Sequence, residues 1–266
     1  MLTNYHTHTT FCDGKDTAEE MVIVAIDKGF KSLGISEHMT TRFYNDHSTK
    51  ALSEYIDEIK RLKEKYKKEI EIYLGIEEDN YSLCDRSRFE YIIGSCHKVK
   101  FQNKLYALDN NYEEFLNVLA LFENNPIKLA EEYYSEFCNY ILWRKPDIVG
   151  HFDLITKFDQ KESSIFFNNK EYIALSEKYI KEALKSDCIF EINTGAIACG
   201  YRTTPYPAEN LLYIMKENNA KITLSSDCHD KRKLDCNFTE TRFLLKDIGF
   251  KYTYILLNNE FVKEEI

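Results

Sequence analysis

The run "KITLSSDCH" (residues 221–229) begins as an apolar strand pattern and ends in an aspartate and a histidine. Short apolar runs of this kind between turn signals read as buried strands, and strands buried on both faces belong to parallel sheets. A helical pattern, "AENLLYIMKENN" (208–219), precedes it. Before that come the strand "CIFEINTG" (188–195) and the helix "NKEYIALSEKYIKEALKS" (169–186). Working outward, the same alternation continues to both ends of the chain. "LTNYH" (2–6), "SLGISEH" (32–38), "IEIYLGIEED" (70–79), "FEYIIGSCH" (89–97) and "PDIVGHFDL" (146–154) read as further strands. Between them lie helical patterns. "TAEEMVIVAIDKGF" (17–30) has Thr17 and Glu20 spaced for a capping box, and a charged amphipathic run spans 48–69. A mostly helical stretch covers 112–143, and the helix 239–249 and strand "KYTYILL" (251–257) finish the chain. Repeated β-then-α order predicts an α/β fold with a parallel sheet, and seven or eight such units predict a closed TIM-like barrel. No G-x-G-x-x-G turn favours the alternative, an open doubly wound sheet.

Composition narrows the function. The 266 residues are 44% hydrophobic and 30% charged, enough for one large core, so a single domain over 1–266 is expected. A net charge of -9 argues against a nucleic-acid partner, which would need Lys and Arg to neutralise phosphates. No apolar run approaches the roughly 20 residues of a membrane span. The eight cysteines contain no C-x-x-C pair, and a chain of this size needs no disulfide support, so they read as thiols of a reducing compartment. If His6 is functional, no leader is removed ahead of it, and the expected location is cytoplasmic.

Six of the seven histidines fall at or just past the C-terminal end of an expected strand: His6, His8, His38, His97, His151 and His229. Asp13, Glu77 and Asp227 mark the same places. In a parallel barrel these ends share one rim, where active sites collect. The spacing of His6/His8 and of Asp227/His229 puts each pair on one side of its strand. Any one of these histidines alone is more often a surface or core residue, but nine such groups on one rim form a ligand set suited to Zn, Mn or Fe. At three or four protein ligands per ion, they suit two or three divalent ions sharing a bridging carboxylate. That arrangement serves phosphoester hydrolysis, whose uncatalysed rate is among the slowest known. Cys12, Cys96 and Cys228 adjoin these residues but are expected to point the other way, as neighbours on a strand do.

In order along the chain, "HTHTTFCDG" (6–14), "ISEH" (35–38), "GIEED" (75–79), "GSCH" (94–97), "GHFDL" (150–154) and "SSDCH" (225–229) resemble the polymerase and histidinol phosphatase superfamily, above all its stand-alone histidinol phosphate phosphatases. The resemblance implies a distorted (β/α)7 barrel, a trinuclear metal site at its C-terminal rim, and hydrolysis of L-histidinol phosphate to L-histidinol and phosphate in histidine biosynthesis. Carried over by motif, one ion takes His6, His8, Glu77 and Asp227. Glu77 bridges to a second ion held by His97 and His151, and a third takes Asp13, His38 and His229. A hydroxide between the ions, on the Glu77 and Asp227 side, is the implied nucleophile.

"EINTGAIACGYRTTPYP" (191–207) is similar to the family's substrate segment and makes Arg202 the leading phosphate ligand, since a guanidinium binds two oxygens at once. Arg42 and Lys157 are further phosphate candidates. "KLYALDNNYEEF" (104–115) resembles the loop over the family's pocket, where Tyr and Asp side chains would meet the substrate's imidazole and ammonium. Related chemistries on the same scaffold are a phosphotyrosine or nucleotide phosphatase and an exonuclease. A binding barrel without catalysis is a reading from another class.

Overall fold

The computed structural model describes residues 1–39, 46–162 and 164–266. Seven parallel strands form one sheet: β1 (Leu2–Asn4), β2 (Phe30–Ile35), β3 (Glu71–Asp79), β4 (Tyr91–Ser95), then β7 (Ile148–Val149), β8 (Ile189–Asn193) and β9 (Lys221–Ser225). Spatial order follows sequence order without reversal. A doubly wound sheet would reverse at a switch point, so the open alternative is excluded. The two edge strands meet just past their ends: His8 N donates to Cys228 O (2.8 Å) and Cys228 N to His6 O (3.1 Å). The result is a nearly closed, distorted barrel of α/β class.

The strands excluded from the barrel are two hairpins. β5 (Lys98–Phe101) and β6 (Lys104–Ala107) follow β4 directly, and β10 (Tyr252–Leu257) pairs antiparallel with β11 (Glu260–Glu265). The expected strand "KYTYILL" therefore exists but is not a barrel stave. Its Ile255 and Leu256 pack with Tyr5, Tyr73, Tyr91, Ile93 and Ile148, and Asn258 N donates to Glu71 at the start of β3, so the hairpin covers the barrel's N-terminal mouth.

Helices α1 (Ala18–Asp27), α2 (Asp46–Tyr66), α3 (Tyr112–Leu121), α4 (Pro126–Arg144), α5 (Lys170–Ala183), α6 (Gly195–Ala198), α7 (Glu209–Glu217) and α8 (Phe238–Ile248) complete the fold. The Thr17/Glu20 capping box forms as the spacing predicts, with Thr17 N donating to Glu20 Oε2 at 3.0 Å. Helix α4 begins at Asn125, whose side chain caps Ile127 N, with Pro126 in the first turn where its missing N–H is harmless. Among the described residues no helix is long and apolar enough to cross a membrane.

Strand parity divides the core. On β3, Ile72, Leu74 and Ile76 join the large outer layer with Met21, Val22, Ile59 and Leu62 of the helices. The alternate residues Tyr73, Gly75, Glu77 and Asp79 face inward, as their shared parity requires. The inner column starts apolar and ends charged, which is how one strand supplies both core and site. Tyr91 fills the lower interior, its hydroxyl donating to Tyr5 O (2.6 Å), and its ring occupies the space a side chain would need at Gly34 and Gly75. Gly75→Ala should therefore lower unfolding stability by about 1–3 kcal/mol through overpacking, read as a lower urea midpoint. An unchanged midpoint would show that Tyr91 can yield.

Candidate metal centre

The C-terminal rim carries the nine sequence candidates. His6 and His8 follow β1, and Asp13 sits on the turn before α1. His38 lies beyond β2, Glu77 within β3, and His97 and His151 each two residues past β4 and β7. Asp227 and His229 follow β9. Asp227 adopts a left-handed backbone (φ 47°), a conformation that Asp tolerates better than most residues and that recurs at functional sites.

All nine converge, with Glu77 at the centre. Its Oε1 lies 3.1 Å from His151 Nε2, 3.3 Å from His6 Nε2 and 3.4 Å from His97 Nε2; its Oε2 lies 2.6 Å from His38 Nδ1 and 3.6 Å from His8 Nε2. Asp227 Oδ1 is 3.3 Å from His8 Nε2 and 3.6 Å from His6 Nε2. Asp13 Oδ1 faces His229 (3.3 Å) and His38 (3.6 Å) at the exposed side. Potential ligand atoms cluster as His6/His8/Asp227, His6/Glu77/His151, His38/Glu77/His97 and His8/Asp13/His38/His229. His8 thus reaches three groups, the third with Cys12 and Glu37, where the motif resemblance gave it one.

These residues fit a cation. His6 Nε2, His8 Nε2 and Asp227 Oδ1 are buried without a hydrogen-bond partner. Such orphaned atoms are costly and rare in native interiors, and here their lone pairs aim at one another. Nitrogen and carboxylate donors in this mixture suit a divalent transition ion.

In the metal-free chain, protons play the cation's part. Burial opposes charge on His97 and His229, yet Glu77 and Asp79 beside the first, and Asp13 and Asp227 beside the second, lift both to about 9. His6 is likewise raised, against its burial, by Glu191, Asp227 and Glu77. His8 goes the other way, pushed down to about 3 by burial and the His38 and His229 rings. Burial works against ionised Glu77 and Asp227, but surrounding imidazoles hold both well below the usual carboxylate range.

Behind the nine stand carboxylates that sequence reading missed. Glu191 Oε1 lies 2.7 Å from His6 Nδ1, while its Oε2 accepts from His151 N (2.9 Å) and Asn193 Nδ2 (2.9 Å). Asp79 Oδ2 lies 3.3 Å from His97 Nδ1 and accepts from His97 N. The signal was present: an acidic residue at inward parity on an otherwise apolar strand demands a buried partner.

Cys96 and Cys228 do turn away, into the core. Cys12 does not. It lies in a turn, where strand alternation fails, and its Sγ is 3.4 Å from His8 Nδ1 and 2.6 Å from Glu37 Oε2.

A cavity of about 300 Å³ opens over the cluster, lined by Asp13, His38, His97, His151, Asp227 and His229 and, across from them, Asp109, Asn110, Lys157 and Tyr206. Lys157 Nζ donates to Asp109 O (2.7 Å), tying it to the segment "KLYALDNNYEEF". Tyr112 of that segment instead packs on Phe115 and Phe158. Arg202 is placed differently from expectation: it is buried behind the wall rather than lining it. Its Nη1 donates to Thr156 Oγ1 (2.8 Å) and lies 3.5 Å from Asp153, Nη2 donates to Pro205 O (3.0 Å), and the guanidinium stacks on Tyr206 at 4.2 Å. Arg42 falls outside the described residues.

Comparison with known proteins gives relatives and a shared fold. A Schizosaccharomyces pombe protein named "Probable histidinol-phosphatase" is 30% identical over 92% of this chain and 86% of its own length. The Bacillus subtilis histidinol-phosphatase is 25% identical, covering 84% of this chain and 92% of its own. In fold, the chain matches the crystal structure of a Lactococcus lactis histidinol phosphate phosphatase complexed with zinc, L-histidinol and phosphate, with a TM-score of 0.69, 21% identity and 98% of each chain covered. The PHP domain family model matches residues 4–195, from the His6/His8 pair through β8, and the chain belongs to the PHP domain family.

Proposed function

We propose that this chain is a metal-dependent histidinol-phosphatase, hydrolysing L-histidinol phosphate to L-histidinol and phosphate in histidine biosynthesis. The observation that carries the reading is Glu77 ringed by five imidazoles, three of which, His38, His97 and His151, line a cavity of substrate size. The naming of relatives that align over nearly the whole chain supports the substrate. His6, His8, Asp13, His38, Glu77, His97, His151, Asp227 and His229 would hold two or three divalent ions of the Zn, Mn or Fe type, with Glu77 the residue central to them. Bound there, such ions supply Lewis acidity and make water nucleophilic at neutral pH.

The chain's own residues do the rest. Glu191 and Asp79 orient His6 and His97 through Nδ1, leaving Nε2 toward the centre. Lys157 brings a positive charge to the cavity wall for the phosphate oxygens, as a point charge without a bidentate fork. Asp109 Oδ2 lies 3.7 Å from Lys157 Nζ, which holds that ammonium in the wall. Arg202 acts from behind, holding Tyr206 and Asp153 in the wall. The setting is cytoplasmic, where the cysteines, none of them in a disulfide, remain thiols.

The test is phosphate release by protein reconstituted with Mn, Zn or Fe. Histidinol phosphate should turn over at least 10²-fold faster, by kcat/KM, than phosphotyrosine, a nucleoside monophosphate or single-stranded DNA, a margin expected when buried polar groups read the leaving alcohol. A flat profile would remove the substrate assignment and leave a phosphoesterase. No turnover of any ester by metal-loaded protein would favour a binding barrel.

A further inference from the structure

Three of the imidazoles that turn Nε2 toward the centre have an oxygen beside their other nitrogen. His6 has Glu191 at 2.7 Å and His97 has Asp79 at 3.3 Å, while His229 has its own turn, with Asp227 O at 3.0 Å. His151 Nδ1 is buried without a partner, and His8 differs from all four in having a thiol beside its second nitrogen. No carboxylate reaches its Nδ1, and the atom beside it is Cys12 Sγ at 3.4 Å. Beyond the thiol, at 2.6 Å, lies Oε2 of Glu37, which is buried. Glu37 is fixed in turn by Thr9, whose backbone N–H (3.1 Å) and hydroxyl (2.6 Å) both donate to Oε1. Asp13 Oδ1 lies 3.2 Å from the same sulfur, so the thiol sits between the imidazole and two carboxylates, Glu37 being the nearer.

We propose that Cys12 is the positioning residue for His8, taking the place a carboxylate takes beside His6 and His97. With Nε2 bare, the neutral ring carries its proton on Nδ1 and donates to Cys12 Sγ. The thiol has one hydrogen of its own and donates it to Glu37 Oε2. Each group then gives or accepts one bond, and no proton changes owner. The chain fixes the ring's tautomer and leaves the buried, unpartnered His8 Nε2 as a ready donor for an ion. The turn that permits this depends on Gly14, where any side chain would collide with the His8–Thr9 backbone. Cys12 consequently acts through His8 and does not touch the substrate. Because His8 also belongs to the cluster with Asp13, His38 and His229, the thiol supports two neighbouring groups of ligands through one ring.

The inference rests on the metal-centre part of the proposed function and is independent of the substrate. The test is Co²⁺ titration of the metal-free full chain, followed by its visible absorption, with release into a competing chelator timed. Cys12→Val preserves bulk and removes the sulfur's contacts to His8, Glu37 and Asp13, so cobalt affinity should fall about 10- to 100-fold, the range for loss of an outer hydrogen-bond partner. Cys12→Ser, able to accept and donate as the thiol does, should restore affinity to within a few-fold of the native chain. Native-like melting of all metal-free proteins would show that the valine acts on the ligand and not on the fold. If Cys12→Val melts early, Cys12→Ala becomes the reading variant, because it removes the same contacts without a branched side chain and should show the same loss of affinity. Native affinity in Cys12→Val, or equal losses in the serine and valine forms, would overturn the role of the thiol alone. Failure of the native chain itself to bind cobalt would overturn the metal centre with it.

Discussion

Glu77→Gln should lose both its metal and at least 10³-fold in histidinol phosphate turnover, the scale of losing a principal electrostatic stabiliser. The substitution changes almost no volume. It removes the negative charge from the one side chain that faces His6, His8, His38, His97 and His151 together, and puts an amide N–H₂ in place of an acceptor. Nothing nearby can replace it, since Asp227 faces the His6/His8 side and Asp13 the His229 side. Metal analysis and phosphate release on the same preparation, with circular dichroism to verify folding, make the measurement. A glutamine variant that kept full metal content and lost only activity would make Glu77 a catalytic group without a bridging role. Retention of both would remove Glu77 from the centre.

Metal uptake should be steeply pH-dependent and should release protons. His97 and His229 hold theirs up to about pH 9 in the metal-free chain, each because carboxylates outweigh its burial. An incoming ion needs the neutral rings and so displaces both protons at pH 7. Apparent affinity should then climb about tenfold per pH unit for each displaced proton, roughly 10²-fold per unit for this pair and more with the raised His6, the pair's share flattening above about pH 9. Calorimetric titration in two buffers of different ionisation enthalpy counts the protons directly. Stability of the metal-free fold follows the opposite sign from these two rings. Their folded values exceed the ordinary 6.5, so their contribution is full below pH 6.5 and is lost as pH rises through about 9. His8, depressed to about 3, acts in reverse and weakens the fold as pH falls from 6.5 toward 3. Affinity independent of pH from 6.5 to 9 would show that these protons are absent.

The rim was readable because a parallel strand leaves few choices. Parity fixes which side chains face inward, and the turn after the strand sets where the next residues go. That is why residues as distant in sequence as His6, Glu77, His151 and Asp227 could be placed together from pattern alone, and why the barrel order emerged from alternating helices and strands. The misplacements lie where parity stops. Cys12 sits in a turn that folds back on His8, Arg202 in a loop whose path is set by Thr156, Asp153 and Pro205. The apolar run at 251–257 has the composition of a barrel strand, and only its pairing with Glu260–Glu265 distinguishes a lid from a stave. Glu191 and Asp79 carry a signal of the same kind, an inward acid on an apolar strand that requires a buried partner.

The meeting of β1 and β9 has a mechanical consequence. Asn4 Nδ2 donates to Ser226 Oγ at 2.6 Å across 222 residues of intervening chain, and His6, His8, Asp227 and His229 straddle that same join. An ion gripped from both sides would act as a staple between the chain's early and late segments. Treated as a cross-link over a loop of that length, it limits the unfolded ensemble by an amount worth about 5 kcal/mol in the chain-entropy formula. The seam where the barrel closes is thus also its clasp, and a chain stripped of metal should begin to fray there.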